Sequence, residues 1–156
     1  MKKILLAFSI ISFPLTAMAA DKPSHMSDGT IDAAVKKFAP SFCVKTVDGI
    51  KEAAEKVHDC YQKTPKDSPD LEICFLGDGA VNLIIQPETE EAQAVGKTSP
   101  FDKITYFSKV ETAKRMKERS DFPKYKNYTN QENLDYQKNS IKLFTRKIIA
   151  FCKHSH

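Results

Sequence analysis

Four cysteines, Cys43, Cys60, Cys74 and Cys152, all lie downstream of an apolar leader with a basic head. No other feature of the 156-residue chain constrains its fold as much. A chain that leaves the cytoplasm meets oxidising conditions, in which cysteines pair. Two covalent ties in one small domain exclude every arrangement that holds the paired positions far apart, because bridged Cα atoms lie about 4.4–6.8 Å from each other. Three pairings are possible. A bridge from Cys43 to Cys60 is disfavoured: one helix carrying both separates them by about 25 Å. A tight turn between two antiparallel helices brings Cys60 to Cys74, which leaves Cys43 for Cys152, and this pairing ranks first. The pairing of Cys43 with Cys74 and Cys60 with Cys152 ranks second. The chain has no Cys-x-x-Cys and no Cys-x-x-Cys-His. Thioredoxin-type redox chemistry, a zinc knuckle and covalent c-type haem attachment therefore have no sequence support.

The leader has three parts. Met1-Lys2-Lys3 is a positive head, residues 4–15 are apolar apart from Ser9, Ser12 and Pro14, and Ala17-Met18-Ala19 places small residues where a signal peptidase reads them. Residues 1–19 are expected to be a cleaved signal peptide, cut after Ala19, and residues 20–156 a single mature domain. The apolar run is short for a span of about 30 Å of hydrocarbon. The lysine head and the Ala-x-Ala site read as a bacterial Sec-type signal, so the expected location is the periplasm or the medium. The mature chain offers no other candidate transmembrane span.

The net charge of +4 falls to +2 when Lys2 and Lys3 leave with the signal, and this small value hides a division. Residues 20–96 carry 8 Lys/Arg against 14 Asp/Glu, and residues 97–156 carry 14 against 6. Either acidic and basic helices pack together and neutralise, which is the simpler expectation, or the basic half faces an anionic partner.

Helical periodicity dominates the mature chain. Ile31, Ala34, Val35 and Phe38 predict a short helix stopped by Pro40. Residues 20–28, with His25 and Met26, read as a mobile arm. Thr46 predicts the N-cap of a second helix with a stripe of Ile50, Ala53, Ala54, Val57, Cys60 and Tyr61, ending near Gln62. Ser68-Pro69-Asp70 predicts a third start. Gly77 and Gly79 each cost about 1 kcal/mol in a helix interior, so the run to Ile85 is expected as two helical pieces, with a short strand at residues 81–85 as the alternative. Residues 86–98, with Pro87 and Gly96, read as a surface loop. Ser99-Pro100 predicts a fourth helix through Arg119, buried along Phe101, Ile104, Phe107, Val110 and Met116. Residues 120–128 read as a connector. A Thr129–Glu132 capping box opens a last helix to about Lys153, buried along Leu134, Ile141, Phe144, Ile148 and Phe151. The expected fold class is all-α: a single-domain helical bundle of four to five helices braced by two disulfides.

Chemical motifs are sparse. Glu55-x-x-His58 has the spacing of a di-iron half-site, but such a site needs a second copy and two further glutamates, so these side chains read as a solvated helix flank. His154 and His156 read as a tail. No nucleophile elbow, Walker loop, dinucleotide glycine pattern or His-Glu-x-x-His is present, so no catalytic residue, metal ligand or cofactor is assigned. The segment that combines cations with aromatics holds Lys114, Arg115, Lys117, Arg119, Phe122, Lys124, Tyr125, Lys126 and Tyr128. Such a mixture can grip an anionic group beside an apolar one, and these nine are the candidate partner-binding residues. The expected function is that of an exported binder or inhibitor of another protein, of the immunity-factor type, without catalysis. The alternatives are a binder of an anionic envelope component (lipopolysaccharide, peptidoglycan or nucleic acid) through the basic half, and an enzyme with a dispersed site.

Overall fold

A computed structural model describes residues 22–154, apart from 45, 102 and 103. The expected signal peptide at residues 1–19, the new N-terminus at Ala20 and the tail residue His156 lie outside the described residues. Among the described residues five helices follow in order: α1 (Asp28–Phe42), α2 (Val47–Lys63), α3 (Leu71–Ala94), α4 (Lys109–Ser120) and α5 (Asn130–His154), with short 3-10 turns at Thr105–Phe107 and Pro123–Asn127. Among the described residues there is no strand, and no helix is long and apolar enough to cross a membrane. Both bridges of the first-ranked pairing form. Cys43–Cys152 has a Cα separation of 5.2 Å and Cys60–Cys74 one of 5.6 Å. The protein is an all-α domain braced by two disulfides.

Helix α3 is the axis of the bundle. It packs against α1, α2 and α5, while α1 lies along α5. Its first half is buried nearly all round, from Leu71 to Val81. This explains why α3 does not break at its glycines, as their intrinsic cost alone predicts. A Cβ on Gly77 would stand 2.7 Å from Val57 Cγ2 and 2.8 Å from Phe38 Cε2, and one on Gly79 would collide with the Ile141 side chain. The glycines let α1, α2 and α5 approach α3 closely, and that packing outweighs their propensity cost. Gly77→Ala is therefore expected to destabilise the fold. Overpacking against an aromatic ring and a β-branched side chain costs about 1–3 kcal/mol, and the better helix former returns at most about 1. Gly79→Ala meets the flexible end of Ile141 and should cost less. Denaturant midpoints of the two variants check the order.

Nor is residues 86–98 a loop. Helix α3 runs through Pro87 to Ala94, because Glu, Ala and Gln are strong helix formers and Gln86 hydrogen-bonds Glu90 at 2.8 Å. It stops at Gly96, whose φ of 67° suits glycine. Lys97 N–H donates to Ala92 O at 2.8 Å and Gly96 N–H to Gln93 O at 3.1 Å, the paired bonds of a Schellman ending. Pro40 likewise does not stop α1; it sits in the last turn, and the helix ends at Phe42 with Cys43 as its C-cap. Ser68 does not cap α3 directly: its hydroxyl accepts from Asp70 N–H in a preceding turn, and the helix starts at Leu71.

The fourth element differs most from its sequence pattern. Ser99 accepts from Phe101 N–H, the chain forms the turn at Thr105–Phe107, and α4 begins only after Ser108, which caps Glu111 N–H at 3.3 Å. Val110 and Met116 are 76% and 64% exposed, and Arg115 on the opposite face is buried. On α5 the capping box forms, with Glu132 N–H to Thr129 Oγ1 at 3.2 Å and Thr129 N–H to Glu132 Oε2 at 2.6 Å. The buried row is Tyr136, Ser140, Phe144 and Ile148, whereas Leu134 and Phe151 are exposed and Ile141 is half-buried. Ser140 is inside because it has work there: its hydroxyl accepts Met26 N–H at 2.8 Å and donates to Tyr136 O at 2.6 Å. The N-terminal arm is thereby docked. Met26 is fully buried, His25 bonds Met26 O, Asn139 donates to Ser24 O, and Lys22 pairs with Glu132 at 2.9 Å.

Candidate functional site

The nine residues of the cation-and-aromatic segment do not form one surface. Lys114, Lys117, Lys124 and Lys126 are exposed, Arg115, Phe122 and Tyr125 are buried, and Arg119 and Tyr128 lie between. Phe122 packs edge-on against Phe75 of α3 and against Tyr125, and Tyr125 also meets Phe75, Tyr128 and Tyr136. The aromatics fasten the connector to the bundle. Three of the cations serve carboxylates of the acidic half. Arg115 and Arg119 pair with Asp78, and Lys124 pairs with Glu72. Lys117 pairs with Asp121 on its own helix. The two charge halves thus neutralise across the α3 interface, with Lys147 adding a 2.6 Å pair to Asp32.

Asp78 is the hub of the larger cluster. Its carboxylate accepts from Arg115 Nε at 3.0 Å, Arg119 Nη2 at 2.6 Å, Asn82 Nδ2 at 3.3 Å, Tyr61 OH at 3.5 Å and Tyr106 OH. Arg115 also donates to Tyr106 O at 2.8 Å and stacks its guanidinium 3.6 Å over the Tyr106 ring. Burial, and then the nearby Asp78 charge, push the Tyr61 and Tyr106 phenols well above the usual tyrosine range, so both stay protonated. Burial opposes the charged form of Arg119, but its neighbours Tyr61 and Asp78 outweigh that, and its pKa lies above the ordinary value. Arg115 Nη2 and Arg119 Nε are buried and have no acceptor among the described residues. The smaller cluster is fully paired. Glu72 accepts Lys124 Nζ at 2.8 Å, Tyr125 OH at 3.1 Å and Tyr136 OH at 3.0 Å. Burial pushes Tyr136 up to about 12. No nucleophile stands beside a base in either cluster, and both read as internal ties.

A mostly apolar opening lies elsewhere. A cleft of about 570 Å³ runs between the α1–α2 junction, α3 and α5. The Cys43–Cys152 bridge, Ile50, Ala80 and Ile148 line its floor and walls. Leu83 and Ile149 stand on its rims at 55% and 52% exposure, with Val44 and Ile84 also exposed. Lys153 borders it, and the 3.6-residue period places Lys142 and Arg146 on the same flank of α5 as Ile149. These three cations have no ion pair among the described residues. Leu83 and Ile84 fall in the run that the sequence pattern leaves between helix and strand, and Ile149 is hidden beside Ile148. The usable signal is the adjacent apolar pairs Leu83-Ile84 and Ile148-Ile149, which widen the apolar stripe beyond the face that Ile85 and Ile148 bury.

Glu55 and His58 sit with Glu52, Asp59 and Glu111 around a shallow, solvent-open cleft. Among the described residues no group of three or more His, Cys, Asp or Glu side chains is placed to hold a metal ion. His154 is exposed at the end of α5. No protein family, curated protein or solved structure matches this chain.

Proposed function

We propose that this is an exported bacterial binding protein of the inhibitor or immunity type, acting in the periplasm or beyond, which takes an amphipathic helix of a partner protein into the cleft beside Cys43–Cys152. One observation carries the reading: an apolar groove with Leu83 and Ile149 on its rims, flanked on one side by Lys142, Arg146 and Lys153, which have no ion pair among the described residues. A monomer rarely leaves contiguous apolar surface open without a use for it. The groove asks for apolar anchors at helical spacing, and the cationic flank asks for acids on one edge of the same helix. Two disulfides and the leader-like residues 1–19 support export. An anionic polymer held on residues 114–128 has less support, because Arg115, Arg119 and Lys124 already serve internal carboxylates.

The test is site-directed photocrosslinking in exporting cells, with intact mass reporting the loss of residues 1–19. A photoreactive side chain at Leu83 or Ile149 should give one discrete protein adduct. The same group at Val95 or Val110, which are equally exposed but distant from the groove, should give none. With the captured partner purified, Ile149→Asp should weaken binding by about 30-fold or more, because it sets a charge where the bound helix would cover an apolar side chain. The pair Lys142→Glu and Arg146→Glu should mainly slow association. Equal adducts from all four positions, a small-molecule adduct in place of a protein, or unchanged affinity for Ile149→Asp would sink the proposal.

A further inference from the structure

We infer that a second cleft, on the opposite side of α3, binds a small organic carboxylate with an apolar body. This cleft, of about 560 Å³, lies between the middle of α3 and the segment running from Phe101 to Arg119. Asp78, Asn82 and Arg119 of the larger cluster line it, and the charge of that cluster does not balance. One carboxylate faces two guanidinium groups. Asp78 already accepts from Arg115, Arg119, Asn82, Tyr61 and Tyr106, so its lone pairs are in use. The remaining donors, Arg115 Nη2 and Arg119 Nε, are buried and find no acceptor among the described residues. Arg115 is 97% buried, and the Arg119 side chain is one-fifth exposed where it borders the cleft.

Other acids do not cancel the excess. Glu90 lies at the exposed mouth of the cleft, where water screens its charge, and Glu118 pairs with Lys66 at 3.7 Å. An excess positive charge in a partly dry cluster is costly, and an anion beside the exposed edge of Arg119 would offset it. The walls say which anion. Thr112 and Asn82 offer a hydroxyl and an amide beside Arg119, suited to a planar carboxylate. Phe101, Phe107, Ile85 and Met116 form the rest of the wall and suit an aromatic or branched hydrocarbon body. Inorganic phosphate would satisfy the charge and leave the apolar wall uncovered. The site shares no lining residue with the groove beside Cys43–Cys152, so either can fail without the other.

The experiment is an NMR titration of the disulfide-intact protein with benzoate, with its neutral counterpart benzamide, and with inorganic phosphate. Benzoate should produce saturable shifts centred on the amides of Asn82, Thr112 and Arg119. Benzamide should bind at least about tenfold more weakly, because it forgoes the charge-assisted bond. Phosphate should also be weaker, lacking contact with the apolar wall. Arg119 variants endanger the fold, so the decisive substitution is at the rim. Met116 is 64% exposed, and Met116→Asp keeps the bundle intact while opposing a bound anion. It should weaken benzoate by about tenfold, and Met116→Leu should not. Benzamide or phosphate binding as well as benzoate, indifference to Met116→Asp, shifts centred elsewhere or no saturable shift would each overturn the assignment.

Discussion

Asp78→Ala will lower the stability of the domain by about 3–5 kcal/mol, the usual cost of stripping the partner from a buried ion pair. At this chain length that corresponds to a fall in Tm of about 10–20 °C. The size follows from the charge count at the hub. Removing the carboxylate leaves the Arg115 and Arg119 guanidiniums facing each other beside α3, with the hydroxyls of Tyr61 and Tyr106 deprived of their acceptor. Arg115→Met makes a sharp comparison. It removes a larger side chain, one that stacks at 3.6 Å on Tyr106, yet it leaves Asp78 matched one-to-one with Arg119. The arginine variant should therefore lose less than the aspartate variant, although simple contact loss predicts the reverse. Thermal unfolding of both, in the oxidised protein, checks the order. Equal losses would mean that packing, and not charge balance, dominates the hub. The same geometry makes charge reversal at Arg115 or Arg119 a poor probe of ligand binding, since it sets a second carboxylate against Asp78.

Local rules were enough to read much of the bundle from its sequence. Thr46 caps Gly49 N–H, the Thr129–Glu132 box closes, and the α2 stripe points inward, because each depends on neighbours within one or two turns. The disulfides were legible because helix length and the narrow bridge geometry left few choices. Helix α3 was not, since Gly77 carries a local cost that only the Phe38 ring and Val57 repay across the core. The orientation of α4 was also hidden. Apolar periodicity turns Val110 and Met116 inward, and it has no way to register that Arg115 is the buried side chain. A signal for this did exist: Glu72 and Asp78 are the only charges in the otherwise apolar stretch 71–85, so each needed a cation, and the surplus of basic residues after position 96 supplies them. The groove was illegible for a different reason. It consists of what the core did not use, and a periodic pattern reveals what is buried more readily than what is left over.

Removing the long bridge, as Cys43→Ala with Cys152→Ala, should cost about 4–5 kcal/mol, against about 3 for Cys60→Ala with Cys74→Ala, if unfolded-chain entropy sets the scale. The bridges close sequence separations of 109 and 14 residues. The comparison is informative because native-state packing points the other way. Cys60 and Cys74 are buried in the core, whereas Cys43 and Cys152 are half-buried on the groove wall. Lost packing alone would make the short bridge the more valuable. The entropic account also carries a second signature. An unfolded chain freed of a 109-residue tie is more expanded, so the denaturant m-value should rise as the midpoint falls, and it should change little for the short bridge. Access predicts the order of reduction as well: a mild thiol should open Cys43–Cys152 first, because attack needs an approachable sulfur. That bridge lines the groove, so if the groove takes the proposed partner helix, opening the bridge should weaken that binding before the fold is lost. A smaller stability loss from the long bridge than from the short one, with m unchanged in both, would show that the core packing of Cys60 and Cys74 matters more than the restriction of the unfolded chain.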